Sequence, residues 1–154
     1  MATKQYILIL CICLLGIAGC KKTNPEGRED VRGTITLNGA PIEIGTIIFD
    51  PTGSDHASGG SAQIINGKYE LVGIGGVKPG QYIVRISARR EYDLKTGKPA
   101  DENTQEGFYY FVVYTPPEFN TNSTIEFAVV QGKRNTFNYN VVTDYVPDTN
   151  PPRR

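Results

Sequence analysis

The sequence predicts an all-β protein, an antiparallel β-sandwich of about seven strands. Segments that alternate apolar and polar residues recur at spacings of roughly ten residues, with Gly, Pro, Asn and Asp between them. The composition, with 17 Gly, 10 Pro and 9 Tyr, is typical of strands and turns. After residue 20, no segment keeps apolar residues at helical spacing over three turns, so almost no helix is expected.

Two hairpins are predicted in the first half of the chain. Residues 31–37 alternate and lead into Asn38-Gly39, and a second Asn-Gly pair at 66–67 separates residues 61–65 from residues 68–71. Asn and Gly both tolerate positive φ, which two-residue hairpin turns require. Each pair therefore predicts a tight antiparallel turn.

The central strands are predicted on the two sides of a Gly-rich and Ser-rich loop. Residues 42–44 and 46–49 form strand segments interrupted by Gly45, where we expect a bulge or a bend. Residues 81–88 form the strongest strand, with Tyr82, Val84 and Ile86 on one face.

The second half of the chain starts with a long charged segment. Residues 89–107 are predicted to form a loop, and loops of this length are usually functional or mobile. The aromatic run 108–114 follows, and residues 124–129 and 135–141 each alternate as single strands. The resulting domain division is a signal peptide helix at 1–19, a tether at 20–30, a β-domain at 31–143 and a flexible tail at 144–154.

The N-terminus has the features of an export signal. Lys4 precedes an apolar run at 6–18, which is too short to span a bilayer core that needs about 20 residues. Ile17-Ala18-Gly19 directly before Cys20 resembles a bacterial lipobox. The resemblance implies that Cys20 is lipidated, and that this anchor binds the exported protein to the membrane of the cell envelope. Because Lys21 is not Asp, the outer membrane is expected rather than the inner one.

Composition excludes several classes of function. Without residues 1–19 the chain has 15 basic and 16 acidic residues, because Lys4 is the only charge lost. No basic excess is left to neutralise phosphates, so nucleic-acid binding is not expected. Cys11 and Cys13 leave with the signal peptide, and the folded domain is expected to have no disulfide.

Three passages carry a resemblance to a known family. They are Val31 to Ile42 with Gly45 to Phe49, then Gly67-Lys68-Tyr69 with Lys78 to Ile86, and finally Pro116 to Asn120 with Ser123 to Ile125 and Asn135 to Tyr139. Together they resemble the carboxypeptidase regulatory-like domain, in particular that of small lipoproteins common in planctomycete-type bacteria. The resemblance covers residues 31–142 and implies a transthyretin-like sandwich. It implies an accessory or structural role and leaves the ligand open.

The sequence offers little catalytic chemistry. His56 is the only histidine, and its neighbours Ser54 and Asp55 do not make a triad, which the fold must assemble. Zinc is not expected because nitrogen and sulfur donors are missing. Loop carboxylates suit Ca²⁺, but they show no calcium-loop spacing and are interpreted as solvated; they are Asp50, Asp55, Asp93, Asp101 and Glu102. We expect no cofactor, no metal and no enzymatic activity.

The aromatic run suggests a ligand surface as the alternative. Tyr109, Tyr110 and Tyr114, together with loop 89–107, are candidate contacts for a carbohydrate or a peptide. An ordinary strand is the favoured interpretation of the run, with Tyr109, Phe111 and Val113 on one face and Tyr110, Val112 and Tyr114 on the other. The leading hypothesis is a non-enzymatic lipoprotein whose β-domain is an accessory or interaction module, with an envelope protein or a glycan as its partner.

Overall fold

The computed structural model describes residues 27–53 and 58–150, and these residues form an all-β fold, as the sequence predicts. They contain no α-helix; 3-10 turns lie at Gly73–Gly75 and Pro117–Phe119, and Gly27 is also in 3-10 conformation. The strands are β1 (Val31–Leu37), β2 (Ala40–Pro41), β3 (Ile44–Pro51), β4 (Gly60–Ile65), β5 (Lys68–Leu71), β6 (Gly80–Asp93), β7 (Tyr109–Val113), β8 (Ile125–Val129), β9 (Asn135–Thr136) and β10 (Tyr139–Val141).

The strands form one curled, largely antiparallel sheet with the shape of a half-barrel. Its order is β10-β1-β5-β4-β3-β6-β7, with β2 and β9 also paired to β1, and β8 paired to β6. The pairing of β1 with β9 and β10 is parallel, in contrast to every other ladder. The curl brings the far edges together, since the Phe119 ring lies 6.2 Å from the Tyr139 ring.

The concave side of the sheet holds the main core. Phe49 is fully buried at its centre, and its ring contacts the rings of Tyr69, Tyr82, Phe127 and Phe137. The faces predicted for the strongest strand are confirmed, because the core includes Tyr82, Val84 and Ile86. Burial of these side chains is the main stabilising contribution in a domain without disulfides.

Both predicted hairpin turns are confirmed, whereas Gly45, where a bulge or a bend was predicted, lies in a regular part of the ladder. Asn38 and Asn66 have φ of 51° and 50°, and each is followed by a Gly with positive φ. Gly45 pairs regularly with Ile64 and Ala88. A Cβ at Gly45 would lie 2.7 Å from the Ser87 carbonyl oxygen, so glycine is needed there for close approach.

The predicted loop at 89–107 begins five residues too early. β6 continues to Asp93, because residues 89–93 pair with β7 from Val113 back to Tyr109. The opposite edge of this part of β6 is hydrogen-bonded to the loop that follows it. Asp93 N–H donates to the Lys98 carbonyl and Ala100 N–H donates to the Glu91 carbonyl, both at 2.9 Å. We call residues 89–93 and 109–113 the arm. The loop itself spans 94–108.

The predicted single strand at 135–141 is interrupted between β9 and β10. Asn138 Oδ1 accepts hydrogen bonds from the Thr34 N–H at 2.8 Å and the Thr34 hydroxyl at 3.0 Å. The Asn138 side chain thus takes a place that a backbone carbonyl occupies in a regular ladder. Phe137 still bonds backbone to backbone, from its N–H to the Arg32 carbonyl at 3.0 Å.

The half-barrel has two distinct ends. At one end β1 and β6 begin, β5 and β8 finish, and Glu29 pairs with Val77. The opposite end carries both Asn-Gly turns and the arm. β6 runs from one end to the other, and its 14 residues span roughly 40 Å.

Several sequence predictions concern residues outside the described ranges. They include the signal peptide helix, the lipidation of Cys20 and the candidate His56. Among the described residues, no helix is long and apolar enough to cross a membrane.

Candidate interaction site

The convex side of the sheet, which we call the outer face, carries the site. Alternation along β3, β6 and β7 places buried residues on the core side and their neighbours on the outer side. The outer face comprises Ile44, Thr46 and Ile48 of β3, Arg85, Ser87, Arg89 and Glu91 of β6, and Tyr109, Phe111 and Val113 of β7. Its large apolar side chains are 37–46% exposed in strands β3 and β7. A row of half-exposed apolar groups is unusual on a solvated face and marks a candidate contact surface.

A groove of about 650 Å³ lies on this face at the base of the arm. Its surface is mostly apolar, and its residues come from five parts of the chain: Thr46, Ile48, Arg85, Ser87, Val113, Thr115, Pro117, Asn120, Thr121 and Tyr145. Strands form the floor, the connection between β7 and β8 forms one wall, and Tyr145 contributes from the C-terminal segment. This volume is suited to a few amino-acid side chains or a small ligand.

Arg85 holds the wall of the groove in place. Its guanidinium forms an ion pair with Asp50 of β3. It also donates to the carbonyl of Asn120 at 2.8 Å and to that of Thr121. A guanidinium that bonds two carbonyls and a carboxylate at once fixes the connection relative to the sheet. Arg85 therefore has a structural role here, and its charge is largely satisfied within the fold.

Two buried hydroxyls attach the same connection to β6. The Ala88 N–H donates to Thr115 Oγ1 at 3.2 Å, and the Ser123 hydroxyl donates to the Val84 carbonyl at 2.6 Å. β8 pairs with residues 80–84 of β6 and β7 pairs with residues 89–93. The two side chains bond to β6 at Val84 and Ala88, where one ladder ends and just before the other begins. The groove wall is consequently hydrogen-bonded to β6 at both ends.

The inner side of the arm forms a small second core. Tyr92, Tyr110 and Val112 are buried there, and the hydroxyls of Tyr92 and Tyr114 are hydrogen-bonded to each other. Burial raises the pKa of Tyr114 to about 12, and the hydrogen bond to Tyr92 adds to the increase. Burial also raises the pKa of Tyr110, whose hydroxyl donates to the Thr149 carbonyl. Tyr110 and Tyr114 are therefore neutral structural groups at ordinary pH.

The three tyrosines predicted as ligand contacts do not lie on one surface. Tyr109 is 37% exposed on the outer face, where its ring meets that of Phe111 edge to face. Tyr110 is buried on the inner side, and Tyr114 is partly buried beside it. Only Tyr109 is placed to meet a ligand on the outer face.

The free edge of β7 adds backbone groups to the site. Tyr114 N–H donates to the Ala88 carbonyl at 2.8 Å, and Leu94 N–H donates to the Phe108 carbonyl at 2.9 Å. These two bonds show that the even-numbered residues of β7 are the ones hydrogen-bonded to β6. By antiparallel alternation, the N–H and C=O groups of Tyr109, Phe111 and Val113 point away from β6. Within the described part of the chain, these groups have no hydrogen-bond partner.

The loop after β6 is organised by Asp93. Its carboxylate accepts hydrogen bonds from the N–H groups of Lys95 at 2.6 Å and Thr96 at 2.9 Å. These bonds hold the pKa of the Asp93 carboxyl below its usual value, and the bond from Thr96 N–H has the largest effect. The loop adds a cation above an aromatic ring, because Lys95 Nζ lies 5.2 Å from the centre of the Phe108 ring.

The described residues bring together no group of three potential metal ligands. Of the loop carboxylates considered above, Asp50 pairs with Arg85 and Asp93 closes its own turn. The chemistry that the site can offer is apolar contact, aromatic stacking and backbone hydrogen bonding. Comparison of the chain with models of protein families, with curated proteins and with solved structures found no match.

Most of the residues that form the groove are not indicated by the local sequence pattern. Phe111 and Val113 were placed on the correct face of their strand, but nothing local indicated that this face lies beside Ile48 and Thr46. The link depends on β6 pairing with β3 on one edge and with β7 on the other. The signal that could have been used is the continued alternation through Tyr92, beyond the two arginines.

Proposed function

We propose that this chain is a lipid-anchored, non-enzymatic interaction module of the cell envelope, bound to its membrane through Cys20. The observation that supports an interaction role is the outer-face groove, with the exposed apolar row of β7 beside it. The sequence signal at 1–20 supports the anchor, and Lys21 favours the outer membrane. The groove and the row beside it offer apolar contact, aromatic stacking and backbone hydrogen bonding.

We further propose a transthyretin-like sandwich of the carboxypeptidase regulatory-like type for residues 31–142. The curled all-β sheet and the two Asn-Gly hairpins are compatible with it. The parallel pairing of β1 with β9 and β10 departs from a purely antiparallel sandwich.

An extended peptide of an envelope protein is the partner that fits the site best. Edge strands are normally protected by charges, Pro or bulges, whereas residues 108–114 contain none of these. A peptide added to β7 would pair with the outward groups of Tyr109, Phe111 and Val113, and its side chains would enter the apolar groove. A glycan is the second candidate, supported by the exposed rings of Tyr109 and Phe111.

The binding test uses the full chain, solubilised in detergent and immobilised, against an envelope protein extract and a glycan array. Phe111→Asp and Val113→Asp place a charge on the outer face, and each should reduce capture of the partner at least about tenfold, as loss of a central contact does. Val142→Asp is the matched control, because Val142 is 70% exposed and lies outside this face.

The outcomes separate the candidate functions. Loss of a captured protein in both outer-face variants supports peptide binding, whereas loss of glycan signal alone supports the second candidate. Capture that is unchanged in both variants rules out the groove as the site. A hydrolase screen provides the remaining check, since an activity abolished by His56→Ala would show the chain to be an enzyme.

A further inference from the structure

We propose that the end of the half-barrel where the N-terminal segment enters is a membrane-contact surface that rests on the lipid headgroups. This inference rests on the proposed anchor at Cys20 and goes beyond it, because an anchor alone would leave the domain free to tumble. We call this end the tether end. It is formed by the loop 72–77 and the turn 130–134, on either side of residues 28–30.

The N-terminal segment is fixed to both loops of the tether end. Glu29 N–H donates to the Val77 carbonyl at 2.7 Å, and its own carbonyl accepts from Val77 N–H at 3.1 Å. The Glu29 carboxylate accepts from Gly132 N–H at 2.8 Å, and Arg28 donates to the Gly76 carbonyl at 2.8 Å. These bonds attach Arg28 and Glu29 directly to the two loops.

The chain between the anchor and this clamp is short. Seven residues, 20–26, precede Gly27, and at about 3.5 Å per residue they reach at most roughly 25 Å. Lys21 and Lys22 lie next to the proposed lipid and favour a position at anionic headgroups. The tether end is thus the part of the domain that stays closest to the bilayer, while the arm lies at the opposite end.

The loops of the tether end present apolar side chains to the surroundings. Ile74 is 84% exposed, between Gly73 and Gly75 at the tip of its turn. Val72 and Val130 are 43% and 42% exposed. A large aliphatic side chain at the tip of a glycine-flanked turn contributes nothing to the core. It is suited to insertion at the boundary between headgroups and acyl chains, where apolar groups are buried by about 5–10 Å.

The charges of this end favour an anionic lipid surface. Lys133 and Arg134 are exposed, and within the described ranges they form no ion pair. Glu29 and Asp30 accept hydrogen bonds from Gly132 N–H and Gly73 N–H and remain anionic, so residues 28–30, 72–77 and 130–134 carry three cations, counting Arg28, against two acids. β3 ends and β4 begins at the same end, and Asp55 stands between them in the sequence, outside the described ranges. An exposed aliphatic tip on one loop and exposed cations on the neighbouring turn are a combination suited to a lipid surface.

The test uses a tryptophan as a depth probe, because the chain has no natural Trp. The acylated full chain with Ile74→Trp is reconstituted into vesicles of phosphatidylcholine and phosphatidylglycerol in equal amounts. We expect a blue-shifted emission and severalfold stronger quenching by brominated lipids than for the control Val142→Trp. Val142 is 70% exposed and follows β10 at the opposite end. Lys133→Glu combined with Arg134→Glu should reduce the quenching at residue 74.

The outcomes distinguish this inference from the proposed anchor. Vesicle flotation reports the anchor by itself, and a mass spectrum of the mature N-terminus confirms the acylated Cys20. Chains that float but quench equally at 74 and 142 overturn the membrane-contact surface and leave the anchor intact. A blue shift at 74 without lipid quenching also overturns it, in favour of a protein contact. Chains that do not float show that the anchor itself is wrong.

Discussion

At the scale of single residues, Gly33 is the position where glycine is least replaceable. A Cβ at residue 33 would lie 1.9 Å from the Phe137 carbonyl oxygen and 2.7 Å from its carbon. Both are backbone atoms, so β1 and the β9–β10 segment would have to separate. The parallel pairing of this edge therefore requires glycine at residue 33.

Gly33→Ala is expected to lower the free energy of unfolding by about 3 kcal/mol, at the upper end of typical overpacking costs. Urea unfolding monitored by circular dichroism measures this change in the free energy of unfolding. Gly53→Ala is the matched control, because nothing lies within 4 Å of its added Cβ. The control should be near neutral, and equal stability of the two variants would show that the Gly33 contact is not required.

The tyrosine hydroxyls predict how stability depends on alkaline pH. Burial raises the pKa of Tyr69, whose hydroxyl donates to the Phe137 carbonyl at 2.9 Å. Burial also raises the pKa of Tyr114, to about 12. Unfolded tyrosine titrates near pH 10. Above pH 10 the unfolded chain therefore releases protons that the folded chain keeps, and stability should fall between pH 10 and 12.

Unfolding midpoints in urea at a series of pH values test this dependence. Tyr114→Phe should make the decrease between pH 10 and 12 less steep, because it removes one of the phenols that the fold keeps neutral. Tyr145→Phe is the comparison, since Tyr145 is 43% exposed. A slope that is the same in wild type and in Tyr114→Phe would contradict the assignment.

At the scale of elements, the arm is an extension with its own small core. Tyr92, Tyr110 and Val112 form a cluster separate from the main one, and the arm joins the rest of the sheet mainly through β6. Elements with few buried contacts open locally before the whole domain unfolds. The arm is therefore expected to be the least protected part of the sheet.

Tyr110→Ala should open the arm without unfolding the domain. Hydrogen exchange of residues 89–93 and 109–113 should become faster by tenfold or more, because loss of a buried aromatic costs several kcal/mol locally. Exchange of β3 and β4 should be unchanged. Tyr109→Ala is the matched control on the exposed face, and similar exchange in both variants would show that the inner cluster does not stabilise the arm.

The elements also show which parts of the fold could be predicted. The Asn38-Gly39 and Asn66-Gly67 turns were predicted because the backbone conformation that they need is encoded in two adjacent residues. The continuation of β6 through Arg89 and Arg90 was missed, since their charges suggested a loop. Pairing with β7 stabilises that segment, and Arg89 lies 4.6 Å from the centre of the Phe111 ring.

The interruption at Asn138 and the groove were missed for a related reason. Asn138 replaces a backbone acceptor for Thr34, 104 residues earlier in the chain, and alternation alone cannot reveal such a contact. The groove combines β3, β6, β7 and Tyr145, whose positions depend on strand order. Local sequence determines turns and faces, whereas neighbours across the sheet determine register and sites.

At the scale of the whole molecule, the two ends have different roles in the proposed arrangement. The tether end would lie on the lipid, and the arm, which starts roughly 30 Å away along β6 and ends roughly 40 Å away, would present its outer face to partners. The core between them has to keep both ends in a fixed relation. Phe49, in the middle of that core, is fully buried and contacts four other aromatic rings at 5.9–6.3 Å between ring centres.

Phe49→Ala should consequently destabilise the entire molecule. The lost burial and the cavity together cost about 3–5 kcal/mol, a large part of the 5–15 kcal/mol that stabilises a typical domain. Phe111→Ala is the same substitution on the outer face, where the side chain is 46% exposed, and it should cost less than about 1 kcal/mol. Thermal unfolding and hydrogen exchange should show all strands affected together in Phe49→Ala. If only the strands next to residue 49 lost protection, the half-barrel would not unfold as one unit, and the tether end and the arm would be independent bodies.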